Sequence, residues 1–209
     1  VTTMGRAVFK YSGITSLTFV EGSSMTEIPE EAFSHTHISA VVLPDSVTLI
    51  DHNAFRQIEE LRSVTFGSGE DLMIMSNVFY RTGLETVYIP ENVAFVGECA
   101  FVALPNLTEF TVSENNPYYK AEDGLLVSKD GRKLITVPAG RNGSLTVPES
   151  IEGIGLGSFE GSQLSEVLFL DNANIISLGC RAFYDADGIK EIRIPDSVVT
   201  IDYYAFAMC

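Results

Sequence analysis

The sequence predicts a solenoid, in which short coils stack on one another and share a β-sheet. Three observations lead to this prediction. A phenylalanine recurs at a nearly constant spacing, an apolar block precedes most copies of it, and a turn, often with a proline, separates the two. Repeats of about 20–50 residues are typical of solenoids, because one unit cannot bury its own apolar side chains and must stack on its neighbours.

The recurring phenylalanine is the clearest of these signals. Successive copies are 22 to 24 residues apart, with one longer step of 58 residues. A stack in which each coil contributes the same large apolar side chain builds a continuous core column, so we expect about eight coils. The repeated residues are Phe9, Phe33, Phe55, Phe79, Phe101, Phe159, Phe183 and Phe206.

The apolar block has the pattern apolar-x-x-apolar-x-apolar, and the alternation in its second half is typical of a short strand. A following proline ends the strand because it cannot donate to the ladder, and DSV or ENV then supplies a turn. We expect a parallel β-sheet on the concave face, with short irregular return legs behind it. The blocks are ITSLTF (14–19), ISAVVL (38–43), LRSVTF (61–66), LETVYI (84–89), LTEFTV (107–112), LSEVLF (164–169) and IKEIRI (189–194).

The longest step contains an irregular repeat at about 107–143. Within it, GLLV and KLITV flank SKDG, whose Asp-Gly pair suits a tight turn. The sequence therefore predicts a β-hairpin insertion near 124–138, preceded by a regular strand at 110–112. The insertion is either a recognition device or one irregular coil.

Composition limits the classes of partner. The 209 residues include 13 basic and 28 acidic side chains, a formal net charge of −15, which repels nucleic acid and anionic membrane surfaces. No apolar run is long enough to insert into a membrane. We expect residues 1–209 to form a single solenoid cut from a longer protein, whose uncapped ends favour end-to-end self-association.

Catalytic and metal-binding patterns are sparse. His35, His37 and His52 are too few and too scattered for a zinc site, which needs three or four converging ligands. Glu166 and Glu191, in neighbouring coils, are a conceivable carboxylate pair for glycoside hydrolysis, but solvated glutamates on an acidic surface are commonplace. We expect no catalysis, no cofactor and no metal.

Two further motifs have ordinary explanations. GIGLGS (153–158) lacks the third glycine of a nucleotide-binding loop, and it occupies the return-leg position of a repeat. Cys99, Cys180 and Cys209 contain no CxxC pair and are expected to be small apolar core residues, with pairing of Cys209 to a partner chain as the alternative.

The repeats resemble the BspA-like branch of the leucine-rich repeats. The resemblance rests on the pattern LxxVxIPxSVxxIxxxAF, which is clearest at 84–101 and 189–206, and it covers almost the whole chain. Val78 and Ser158 depart from it, since alanine precedes the phenylalanine in most copies. The resemblance implies a right-handed leucine-rich-repeat solenoid and a secreted or surface-exposed protein that attaches to host or partner proteins.

A ligand site is predicted on the concave face, where the outward residues of successive strands form two rows. Threonines in these rows are also simply good strand formers, whereas exposed Val42, Tyr88 and Leu168 suit anchors for a partner. The predicted partner-binding residues are Val42, Thr65, Tyr88, Thr111, Leu168 and Arg193 in one row, and Glu109, Glu166 and Glu191 in the other.

These observations predict a non-catalytic protein–protein interaction or adhesion module, extracellular or on the cell surface. Its partner would be a protein, such as a host or extracellular-matrix protein. Two alternatives stay open. A structural spacer stalk would have a featureless concave face, and a carbohydrate-binding unit would have aromatic side chains clustered on one exposed face.

Overall fold

The computed structural model describes residues 2–209 and shows the stacked coils that the repeat predicts. Each regular coil has two strand positions, and no residue in the described range is helical. We call the strand position in the apolar block the front ladder and that in the return leg the back ladder. The strands are β1 (Glu27–Ile28), β2 (Ala40–Val42), β3 (Leu49–Ile50), β4 (Ser63–Thr65), β5 (Leu72–Ile74), β6 (Val87–Ile89), β7 (Val93–Val96), β8 (Phe110–Val112), β9 (Tyr119–Glu122), β10 (Leu125–Ser128), β11 (Lys133–Thr136), β12 (Gly143–Thr146), β13 (Gly153–Ile154), β14 (Leu164–Leu168), β15 (Ser177–Leu178) and β16 (Thr200–Ile201).

The front ladder is parallel, as predicted. Strand β2 pairs with β4, β6 with β8, and β12 with β14, and a bridge between Ser63 and Thr86 links β4 to β6. In the three-residue strands β2 and β4 the central residue is buried and its neighbours are more exposed, and in β6 an exposed residue lies between two buried ones. This alternation is that of a half-buried sheet. The first and last blocks, at 14–19 and 189–194, form no strand.

The return legs are more regular than the sequence suggested. Strands β1, β3, β5 and β7 form one parallel sheet, and β11, β13, β15 and β16 continue a second. Most of these short strands place an apolar side chain inward, such as Ile28, Ile50 and Ile74, which are fully buried, whereas Ile201 of β16 is exposed. The two-residue strands among them are too short for a sequence pattern to reveal.

The predicted phenylalanine column is present. In the N-terminal half, rings from Phe9 to Phe101 stack face to face with centroids 5.2 to 5.5 Å apart. From Phe159 to Phe206 the spacing is 4.5 to 5.0 Å. Phe79 has no exposed surface and lies between two stacked neighbours, so each ring fills the space that the adjacent coil leaves.

The insertion is a three-stranded antiparallel meander. Strand β10 pairs with β11 across the predicted hairpin, and also with β9, which the sequence analysis missed. The turn between β9 and β10 consists of Asp123 and Gly124, whose φ angles of 49° and 73° suit a tight hairpin turn. Strand β11 then pairs in parallel with β13, so the chain rejoins the back ladder.

Strand β10 lies between two hydrophobic cores. Leu126 packs into the N-terminal core, whereas Leu125 and Val127 pack into the C-terminal core, and all three are fully buried. Because successive side chains of a strand point to opposite faces, one strand contributes to both cores. The hairpin is therefore an internal wall of the solenoid, which favours the irregular-coil interpretation over an exposed recognition device.

A buried polar contact also joins the two halves. Tyr80 Oη donates a 2.6 Å hydrogen bond to Glu160 Oε1, and Arg181 Nη2 lies 2.5 Å from the same oxygen. Burial and the hydrogen bond to Glu160 raise the pKa of the Tyr80 phenol. Since a buried carboxylate needs such partners, this contact links side chains from coils on the two sides of the insertion.

Candidate functional site

The outward side of the front ladder, which we call the front face, contains the predicted apolar anchors. Val42 is 65% exposed, Tyr88 54% and Leu168 43%. Val42 pairs in register with Thr65, Tyr88 with Thr111, and Leu168 with Thr146. Each apolar side chain therefore stands next to a small hydroxylated one, on a face that is otherwise polar.

The predicted acidic row is only partly on the sheet. Glu166 lies in β14, opposite Ser144, and Glu109 directly precedes β8; both are exposed. Glu191 and Arg193 lie in the strandless segment 189–194, so the sheet does not pair Glu166 with Glu191 as the sequence suggested. Arg193 lies 3.3 Å from Asp171, with both side chains almost fully exposed.

The front face is interrupted at its centre. Phe110 of β8 donates its backbone N–H to the carbonyl of Gly124, so the tip of the β9–β10 hairpin reaches the front ladder. Arg141 Nη2 lies 2.6 Å from the Asp123 carboxylate at this tip. The predicted continuous row is therefore divided into an N-terminal part around Tyr88 and a C-terminal part around Leu168.

A groove of about 690 Å³ opens around Tyr88. Thr65, Tyr88 and Thr111 were predicted from the sequence to lie here, whereas the turn residues that form the rest of the wall were not. In the sequence, these residues are indicated only by the run of serines and asparagines after each strand, and such residues are also common in ordinary turns. The polar side chains that line the groove are Ser63, Thr65, Ser68, Thr86, Tyr88, Glu91, Asn92, Thr111, Ser113 and Asn115.

The outward side of the back ladder has an apolar row of its own. Leu49, Met73 and Phe95 are cross-strand neighbours in β3, β5 and β7, and the last two are 43% and 42% exposed. The sequence analysis missed this row because it treated the return legs as irregular. The alternation in DLMIM and NVAFV is its signal.

The histidines make local contacts. His37 Nδ1 lies 2.9 Å from Glu60, His52 Nδ1 lies 2.7 Å from Asp51, and the His35 ring packs against Tyr11. Within residues 2–209 no three metal-binding side chains converge. Gly157, in the predicted glycine-rich motif, donates its N–H to the carbonyl of Cys180 in the next coil, so this segment packs as part of a repeat.

The cysteines differ in their surroundings. Cys180 is buried and Cys99 half-buried, but Cys209 is exposed, so the expectation that it fills the core was wrong. In the last coil no further coil of this chain covers it. Burial raises the pKa of the Cys99 thiol to about 12, so this thiol stays protonated and unreactive near neutral pH.

Comparison with known families identifies the repeat. A model of the BspA type leucine-rich repeat region matches in six copies over residues 1–121 and 141–209. The chain belongs to this family. The unmatched segment, 122–140, spans most of the meander, which agrees with its being an insertion into the repeat.

Solved structures share the fold. The pneumococcal vaccine antigen PcpA is 30% identical with a TM-score of 0.87, over 94% of this chain and 49% of that one. A leucine-rich repeat protein from Eubacterium ventriosum is 23% identical (TM-score 0.67, 86% of this chain and 54% of that one). A leucine-rich cell surface protein from Faecalibacterium prausnitzii is 22% identical (TM-score 0.66, 88% and 55%). The chain therefore spans about half the length of these structures.

No curated protein matches the chain. No helix that could cross a membrane is found among the described residues.

Proposed function

We propose that the chain is a non-catalytic protein-interaction module of a secreted or cell-surface protein and that it binds its partner through the front face. The observation that carries this proposal is the exposure of Val42, Tyr88 and Leu168 on an otherwise polar sheet. Tyrosine is among the side chains in which interface hot spots are enriched, and exposed valine and leucine side chains add apolar area that a partner can bury.

The shape and charge of the surface support a protein partner. The three anchors lie on different strands of the ladder. With about 4.8 Å between neighbouring strands, the distance from the first anchor to the last exceeds the length of one small molecule. Glu109 and Glu166 beside them have no ion-pair partner within residues 2–209, so they are available to basic side chains of a partner. An extended host or extracellular-matrix protein fits this arrangement.

The extracellular setting is supported by the relatives. The Faecalibacterium structure is described as a cell surface protein, and PcpA as a vaccine antigen. At 30% identity and a TM-score of 0.87, PcpA is the stronger of these comparisons.

A binding screen against purified extracellular-matrix and host-surface proteins tests the proposal. The matched variants are Leu168→Glu on the front face and Phe95→Glu on the back ladder, since these side chains are 43% and 42% exposed. We expect Leu168→Glu to weaken a saturable interaction about tenfold or more, because a charge would be buried at the interface, and Phe95→Glu to leave it unchanged.

The opposite pattern would move the site to the back ladder. Absence of any protein ligand across the panel would support the alternative of a spacer stalk.

A further inference from the structure

We propose that the groove around Tyr88, in the N-terminal part of the front face, also binds a neutral oligosaccharide. This inference goes beyond the proposed protein interaction, since it concerns a different class of ligand and requires only the N-terminal part of the front face. It rests on three features of the groove: an open aromatic ring, hydroxyl groups without protein partners, and the absence of cationic side chains.

The aromatic ring is open on the solvent side. Tyr88 is 54% exposed and stands between Thr65 and Thr111 on the neighbouring strands. Neighbouring strands lie about 4.8 Å apart, and threonine is much shorter than tyrosine, so the ring rises above both. The C–H face of a pyranose ring packs well on such a surface, because the aromatic face is apolar and carries partial negative charge.

Three of the hydroxyl groups around the ring are available, whereas Thr111 donates to the carbonyl of Val87 and Ser68 donates to Asp45. Within the described chain, the side-chain oxygens of Ser63, Thr65 and Thr86 have no hydrogen-bond partner from the protein. A hydroxyl both donates and accepts, as does a sugar hydroxyl, so the two groups can pair in either direction. The amide of Asn115, at the rim, adds a donor and an acceptor in one side chain.

Charge decides which sugars fit. Glu91 is the one carboxylate in the lining, and neither lysine nor arginine lines the groove. The whole chain has a formal charge of −15, so sulfated or sialylated sugars would be repelled. A neutral sugar meets no such barrier, and a groove of about 690 Å³ holds two or three sugar units.

Titration with neutral tri- and tetrasaccharides of glucose, galactose and N-acetylhexosamines tests the proposal. We expect saturable binding at millimolar concentration, monitored by NMR chemical shifts and calorimetry. Tyr88→Ala should weaken binding about tenfold or more, whereas Tyr88→Phe should keep most of it, because the ring face makes the contact. Thr65→Val, which removes one hydroxyl at nearly constant shape, should give an intermediate loss.

The control is Leu168→Glu, which alters the front face outside the groove. It should leave oligosaccharide binding unchanged while weakening the protein interaction, so the two proposals can fail separately. The sugar site is wrong if no neutral oligosaccharide in the panel binds, if Tyr88→Ala binds as the unaltered chain does, or if sialylated or sulfated counterparts bind more tightly. Circular dichroism and the melting temperature establish that each variant is folded.

Discussion

At the scale of single residues, the phenylalanine column runs through the core of the stacked coils. Phe79 lies between Phe55 and Phe101, at centroid distances of 5.5 and 5.2 Å, and is fully buried. This role could be predicted from the sequence, because one residue recurs at the same place in every regular coil. The polar contact of Tyr80 with Glu160 could not, since these residues are 80 positions apart and the insertion separates their coils.

Replacing Phe79 tests the column. We expect Phe79→Ala to lower the free energy of unfolding by about 3–5 kcal/mol, because it removes a buried ring and leaves a cavity between two others. Phe95→Ala, at a position that is 42% exposed, should cost less than about 1 kcal/mol. Urea denaturation measures both, and similar losses in the two variants would contradict the assignment of the core.

The buried thiol predicts a pH dependence. The folded-state pKa of Cys99 is raised to about 12 by burial, above the value of about 8.5 for an unfolded chain. The protonated thiol therefore makes its full contribution to the free energy of unfolding below pH of about 8.5. This contribution is lost as the pH rises towards 12. Tyr80, whose pKa is also raised by burial, adds to the loss at higher pH.

Denaturation at increasing pH, with Cys99→Ala as the variant, measures this effect. The decline in the free energy of unfolding above pH of about 8.5 should be shallower in Cys99→Ala. The exposed Cys209 provides the control, since Cys209→Ala should leave the slope as it is. If the free energy of unfolding declines as steeply with pH in Cys99→Ala as in the unaltered chain, the thiol is not the source of the decline.

At the scale of elements, the front ladder follows the sequence closely and the back ladder does not. The block LETVYI forms β6 because valine and isoleucine alternate with outward residues over a length that a pattern can detect. The two-residue strand β3 shows only one such step. Strand β9 has the polar sequence YKAE and becomes a strand through its pairing with β10, which no local pattern reveals.

Because β10 lies between the two cores, substitutions of neighbouring residues in it are predicted to weaken different regions of the chain. Leu126→Ala should weaken hydrogen-exchange protection mainly in the N-terminal core, and Val127→Ala mainly in the C-terminal core, because their side chains point to opposite sides. Native-state hydrogen exchange read by mass spectrometry resolves the two regions. The same loss over the whole chain in both variants would show instead that the cores open as one unit.

At the scale of the whole molecule, the family and the solenoid could be predicted from the repeat, because stacking imposes the same constraints on every coil. The binding surface could be predicted only in part. The outward residues Val42, Tyr88 and Leu168 follow from strand alternation, but the groove depends on turns from successive coils. The division of the front face follows from the meander, whose path is set by tertiary packing.

The acidic charge also belongs to this scale. Most basic side chains are engaged in ion pairs such as Lys10 with Glu31, at 2.5 Å, and hydrogen bonding by Lys10 is the main cause that lowers the pKa of Glu31. The excess carboxylates therefore face solvent or a partner. End-to-end self-association and the single-domain organisation of residues 1–209 stay predictions.

The central claim is that the front face binds a protein partner, and footprinting of the bound chain tests it most directly. With a ligand from the screen, hydrogen exchange is compared between the free and bound states at the amides of each strand and its flanking turns. We predict slower exchange around β2, β4, β6 and β14, with β3, β5 and β7 unchanged. Slower exchange confined to β3, β5 and β7 would contradict it and place the interface on the back ladder.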